Sequence, residues 1–109
     1  MPTPLKNKKK IELLFRLGEK KSSKVFDCRS LSSSENDGEI RFVVVAPKKN
    51  FPRAVDRNKI KRRMREIIRK HGDALGGSNF NWFLFIYLGK EVISSKEMEV
   101  GLKALVSSL

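Results

Sequence analysis

Cysteine occurs once in this chain, at Cys28. No internal disulfide can form and no cysteine-based zinc site can be assembled, so the expected compartment is reducing and cytoplasmic. Histidine is as scarce. His71 is the only one, and beside Gly72 it reads as a helix-end charge or a solvated side chain, not a general base. No apolar run approaches the roughly 18 residues that a membrane span requires. The basic N-terminus leads into neither an apolar core nor a small-residue cleavage site, so no signal peptide is expected. Carboxylates are outnumbered, 12 Asp and Glu against 24 Lys and Arg. They form no paired cluster, and no nucleophile stands beside a base, which argues against protein-borne catalysis and against a protein-held metal.

What is present is one domain's worth of chain: 109 residues, 39% of them apolar, enough for a single core. The net charge of +12 makes a compact domain repel itself unless a polyanion binds it, nucleic acid ahead of an anionic membrane. That charge is concentrated. Between Arg41 and Lys70 stand twelve basic residues against Asp56 and Glu66, while the other 79 residues together carry only +2. A smaller cluster, Lys6, Lys8, Lys9 and Lys10, suggests a flexible basic arm over residues 1–10 of a single nucleic-acid-binding domain spanning residues 1–109.

Periodicity gives the elements. Asn7 caps a short helix in which Ile11, Leu14 and Phe15 share a face, stopped by Gly18. Lys24 to Leu31 and Glu39 to Ala46 alternate as strands, and the polar run Ser32 to Gly38 with its Asn-Asp-Gly signal joins them as a loose hairpin. Asn50 and Pro52 open a second helix that Gly72 closes. Gly76-Gly77-Ser78 reads as a turn. Phe80 to Leu88 is a nearly continuous apolar run, expected as a central buried strand with Trp82, Phe83 and Phe85 in the core. Ser94 and Glu97 have capping-box spacing ahead of Met98, Leu102, Leu105 and Val106. The order is α-β-β-α-β-α with room for one further short strand. The class is α+β, an α/β sandwich of helices on a small mixed sheet.

The second helix separates its chemistry by face. Ile60, Met64, Ile67 and Ile68 fall in one sector about 100° wide. Asn58, Lys61, Arg62, Arg65 and Arg69 fall in the adjacent sector, with Arg57 at its edge. The chain of like charges Arg57–Lys61–Arg65–Arg69 at i,i+4 weakens an isolated helix by roughly 0.2–0.5 kcal/mol per pair. Phosphates relieve that repulsion: arginine forks onto their oxygens, and Asn58 can read a base edge or a 2′-hydroxyl.

The run Arg57-Asn58-Lys59-Ile60-Lys61-Arg62-Arg63-Met64-Arg65-Glu66 resembles the signature helix of the bacterial ribonuclease P protein subunit. The lead-in Lys48-Lys49-Asn50-Phe51-Pro52-Arg53-Ala54-Val55-Asp56 resembles that family's lysine pair and loop. The resemblance implies an accessory protein of an endoribonuclease whose RNA subunit removes the 5′ leader of precursor tRNA, with Mg²⁺ held mainly by RNA. It implies RNA-subunit contacts at Lys48, Lys49, Arg53, Arg57, Asn58, Lys61, Arg62, Arg65 and Arg69. It also implies a left-handed β-α-β crossover through the basic helix, in a fold resembling one found in ribosomal proteins. A cleft between the first helix and the sheet would hold the single-stranded leader. Phe15 matches the second of two aromatics the family has there, Ile11 stands in place of the first, and Phe26 is a further leader-stacking candidate or else core. Arg63 takes a position usually apolar in the family. The alternative is a small ribosomal or other structural RNA-binding protein without nuclease activity. A helix-turn-helix DNA binder fits less well, because strands flank the basic helix.

Overall fold

Six consecutive apolar residues, Trp82–Tyr87, cannot sit at a sheet edge or turn one face to water. They place themselves at the centre of the sheet. The computed structural model describes residues 3–23, 25–32, 39–77 and 80–109. Its elements are β1 (Thr3–Pro4), α1 (Lys8–Leu17), β2 (Glu19–Ser22), β3 (Phe26–Leu31), β4 (Arg41–Val45), α2 (Ala54–His71), a 3₁₀ stretch (Gly72–Gly77), β5 (Trp82–Tyr87) and α3 (Ser95–Ser107). The five strands lie in the order β1-β4-β5-β3-β2. β1 and β5 flank β4 in parallel, whereas β3 runs antiparallel to both β5 and β2.

The expected hairpin between β3 and β4 does not form. β5 inserts between them, pairing Cys28 with Phe85 on one side and Val44 with Phe85 on the other. A strand that is apolar on both faces gains more from two neighbours than the intervening loop gains from a local turn. The Asn36-Asp37-Gly38 turn itself lies outside the described residues, as does Ser78 of the expected Gly-Gly-Ser turn; Gly76 and Gly77 belong to the 3₁₀ stretch. The N-terminal segment also differs from the expected arm. Thr3 donates its backbone N–H to Ile40 O at 2.8 Å and Leu5 to Phe42 O at 2.7 Å. Leu5 is buried, so from Thr3 onward this segment belongs to the fold.

The sheet separates two apolar layers. On one face Phe26, Cys28, Phe42, Val44, Phe83, Phe85 and Tyr87 meet Ile60, Met64, Ile67 and Ile68 of α2 and Met98, Leu102, Leu105 and Val106 of α3. Each of those helix residues is buried as its spacing requires, contributing on the order of 1.5–3 kcal/mol. On the other face Leu14 of α1 meets Leu5, Trp82 and Leu84. The caps match the sequence: Asn7 Oδ1 accepts from Lys10 N at 3.2 Å and Ser94 Oγ from Glu97 N at 3.2 Å. α2 begins later than its breakers suggest, at Ala54, with Arg53 as a cap whose side chain makes no capping bond. Asn50 is spent in the turn before it, donating its N–H to Pro47 O at 3.1 Å.

Candidate nucleic-acid interface

The basic side of α2 turns away from the sheet because its apolar stripe is held against it. Asn58, Arg62 and Arg69 are exposed, and Lys61 and Arg65 are half-buried. None of the four cations has an ion pair among the described residues. Of the acids on or near this helix, Asp56 lies 3.8 Å from exposed Arg53 and Glu99 of α3 lies 3.6 Å from both Lys70 and His71, while Glu66, exposed on α2, is in no ion pair among the described residues. The outcome is a row of positive charge on one helix face whose cations are not ion-paired among the described residues.

Arg57 has a second role that its spacing does not reveal. Its Nη1 donates to Phe51 O and to Pro52 O, both at 2.8 Å, and so fastens the lead-in loop to the first turn of α2. Phe51 anchors the same loop from below, buried and stacked on Tyr87 with ring centroids 5.8 Å apart. Lys48 and Lys49, both exposed, are carried on the turn closed by Phe51 N to Pro47 O at 3.0 Å. Arg63 likewise reaches a carbonyl, Ile93 O at 2.8 Å, tying α2 to the segment before α3. This explains how a cation is accommodated at a position where an apolar residue is expected.

A second feature lies on the opposite face of the sheet. α1 rests on β3 and β5, with fully buried Leu14 pointing into the sheet. At 3.6 residues per turn, Lys10 sits about 40° to one side of Leu14, and Ile11 and Phe15 about 60° and 100° to the other. Lys10 Nζ is 5.4 Å from the Trp82 ring centroid, so that flank looks toward the end of the sheet where Trp82 pairs with Arg41 and Leu31. The Ile11–Phe15 flank therefore looks toward the other end, where Ile86 pairs with Val45 and Asp27. Val43, Val45 and Ile86 are only partly buried, and Phe15 is 41% exposed. They make an open apolar strip walled by α1. Lys48 and Lys49 follow Val45 closely in the chain, so the lysine pair stands where this strip passes over to α2.

Phe26 is not on this strip. It is fully buried on the α2–α3 face with its ring centroid 5.5 Å from Tyr87, and no base can stack on it without opening the core. Trp82, Phe83 and Phe85 are core residues as expected. Asp27, 6% exposed, is satisfied by Ser22 Oγ and Cys28 N, each donating at 3.0 Å. Cys28 is buried, its thiol pushed up to about 12 by desolvation. His71 is held beside Glu99 instead of standing in solvent. Among the described residues no three His, Cys, Asp or Glu side chains gather as metal ligands, and no helix is long and apolar enough to cross a membrane.

The comparisons agree with this architecture. The family model for ribonuclease P matches residues 2–109. A ribonuclease P protein component from Nitrosococcus oceani is 42% identical over 64 residues, 59% of this chain and 52% of that protein. The match thus spans about half the length of that curated relative. The solved Staphylococcus aureus RNase P protein is 20% identical, with 96% of this chain and 93% of that one covered and a TM-score of 0.81. The Thermotoga maritima RNase P protein is 21% identical, with 97% and 96% covered and a TM-score of 0.80. Likeness at that identity concerns the fold.

Proposed function

This chain belongs to the ribonuclease P protein family, and from that premise we propose that it is the protein subunit of ribonuclease P, acting in 5′ maturation of precursor tRNA. The observation that carries the reading is the α2 face, where Lys61, Arg62, Arg65 and Arg69 lack ion pairs among the described residues and Asn58 is exposed beside them. Cations held on a helix face and not engaged in ion pairs suit the phosphates of a structured RNA, and arginine forks suit them best. The RNA subunit docks there, with Lys48, Lys49 and Arg53 extending the surface, and Arg57 contributes mainly by holding the loop that presents them.

The single-stranded leader of precursor tRNA takes the strip between α1 and the sheet. Its bases stack on Phe15 and slide over Val43, Val45 and Ile86, which favours single strands because only unpaired bases offer their faces. Lys48 and Lys49 sit between the two surfaces and screen the phosphates where leader and RNA subunit approach one another. Hydrolysis belongs to the RNA subunit. Mg²⁺ is held mainly by that RNA in this reading, because the basic α2 face repels cations. The protein's part is to place fixed positive charge where RNA phosphates crowd, so that less metal is needed for folding and substrate binding. The compartment is the cytoplasm.

The test is reconstitution with a bacterial ribonuclease P RNA and a precursor tRNA, at Mg²⁺ too low for the RNA to act alone. The protein restores cleavage there and cleaves nothing without the RNA. Robust cleavage by purified protein alone overturns the proposal, as does co-sedimentation with ribosomal subunits combined with no effect on the RNA.

A further inference from the structure

We infer that Arg29 is a positioning residue for the leader platform: it pins the last turn of α1 to β3 and so sets how the Phe15 ring is presented. This rests on the reading of the α1 strip as the single-strand site.

The need for such a pin follows from how α1 ends. Gly18 at its C-terminus is extended, with φ −65° and ψ 143°, and not in the left-handed conformation that usually satisfies the last carbonyls of a helix. Its N–H reaches Leu14 O at 2.9 Å, and the chain then runs straight into β2. The carbonyl of Phe15 is taken by Arg29, whose Nη1 donates to it at 3.1 Å. Arg29 comes from β3, two elements later in the chain, where its register partner on β5 is Leu84. A cation at the C-terminal end of a helix also complements its dipole.

Two further observations tie Arg29 to this role. Its Nε is enclosed and has no hydrogen-bond partner, so the inner end of the guanidinium lies against the protein while its outer end reaches the Phe15 carbonyl through an exposed bond. The backbone at this point is also too close for a side chain. A Cβ added at Gly18 collides with the Leu14 carbonyl and comes within 3.0 Å of the Arg29 Cβ. The end of α1 therefore touches β3 at Gly18 and is bonded to it at Phe15. The Phe15 ring has no ring partner among the described residues and is 41% exposed, so the position of its backbone decides where the ring is offered. With Ile11 one turn earlier in place of an aromatic, no second platform compensates if α1 tilts.

The experiment uses the reconstituted holoenzyme and two substrates, a precursor tRNA with a short leader and the same tRNA without one. The ratio of their affinities isolates the leader's contribution. Base–aromatic stacking corresponds to roughly five- to hundredfold in affinity, and Phe15→Ala is expected to lose a factor in that range. Arg29→Ala is expected to lower the ratio by about three- to tenfold, part of the same stacking factor, with kcat at saturating substrate unchanged. Arg29→Lys, which still brings a cationic donor to the carbonyl, recovers most of the loss. The double variant Phe15→Ala/Arg29→Ala binds the leader no more weakly than Phe15→Ala alone, because Arg29 acts through Phe15. The salt dependence of leader binding stays at the wild-type slope in Arg29→Ala. Additive losses in the double variant overturn the inference, and so does a flattened salt slope, which marks a direct phosphate contact. If Arg29→Ala does not fold, Arg29→Gln, which keeps a donor but removes the charge, takes its place, and a flattened salt slope in that variant overturns the inference. Should Phe15→Ala leave the ratio at its wild-type value, the single-strand assignment of the strip fails first, and the role of Arg29 falls with it.

Discussion

Arg57 and Arg62, both on α2, are expected to respond in opposite ways to the same substitution. Arg62 is exposed, without an ion pair among the described residues, so Arg62→Ala breaks no internal bond. Its stability should stay within roughly half a kcal/mol of the parent, as for other exposed sites, or rise slightly as repulsion within the helix falls. Arg57→Ala instead strips a charged donor from two carbonyls, those of Phe51 and Pro52. A hydrogen bond from a charged group contributes about 1.5–3 kcal/mol. Water replaces it cheaply at the exposed Pro52 carbonyl and poorly at the part-buried Phe51 carbonyl, so a net loss near the lower end, about 1–2 kcal/mol, is expected. For a domain of this size that is a fall of roughly 4–15 °C in melting temperature.

RNA binding separates the two variants by mechanism. If Arg62 neutralises one phosphate, Arg62→Ala should flatten the dependence of log affinity on log salt by about 0.7–0.9. Arg57→Ala should weaken RNA binding through the loosened Lys48–Lys49 loop, with a larger fall in affinity at low salt than one charge explains. The assay is a thermal melt of each free protein and a titration with ribonuclease P RNA over a series of salt concentrations. If Arg62→Ala melts several degrees lower while its RNA affinity per folded molecule is unchanged, the division of α2 into a folding face and an RNA face is wrong.

Other consequences follow from the core. Ile68 is fully buried, so Ile68→Ala should cost about 2–5 kcal/mol through a cavity, with the RNA affinity of the remaining folded protein unchanged in a titration corrected for folded fraction. Phe26→Leu should lower the melting temperature yet leave leader affinity per folded molecule at the parent's value, whereas a specific loss of leader affinity would return Phe26 to the RNA site. The Cys28 thiol, about 12 when folded against 9.0 as its ordinary value, keeps its proton in the native state after the unfolded chain has shed it. Stability should therefore be flat in this group below about pH 9 and fall as pH rises above it. Cys28→Val should reduce that alkaline fall in urea melts run from about pH 8 to 10.5, and native Cys28 should resist alkylation near pH 8 until denaturant is added.

The parts of this molecule that are legible in the sequence are those where one element declares its own environment. α2 carries both its apolar stripe and its charge in the helical period, and β5 is apolar on both faces, so each can be placed without knowing its neighbours. β2 is the opposite case. Glu19–Ser22 is exposed along its length, with no alternation to mark it, and it is a strand only because β3 offers it an edge. β1 is two residues long and ends in Pro4, and it too exists by virtue of a neighbour, β4. The β3–β4 hairpin is misread for a related reason: a turn signal is local, and it says nothing of β5, which lies far along the chain and competes for the same strand edges.

The same distinction divides the arginines. Charge spacing identifies the row on α2 but cannot say which guanidinium is free for a phosphate and which is already spent on a carbonyl of its own chain. Arg57, Arg63 and Arg29 all reach backbone oxygens, respectively of the lead-in loop, the segment before α3 and the end of α1. A backbone oxygen leaves no mark in the sequence, because every residue has one. The three tie together the elements that present the groups proposed to meet RNA: the lysine loop to α2, α2 to α3, and α1 to the sheet. A chain with a large cationic surplus can supply such ties from arginines that, read by type alone, all look alike. Geometry separates them: a guanidinium already bridging its own carbonyls has fewer N–H groups to give a phosphate, and substituting it should move the melting temperature before it moves the salt slope.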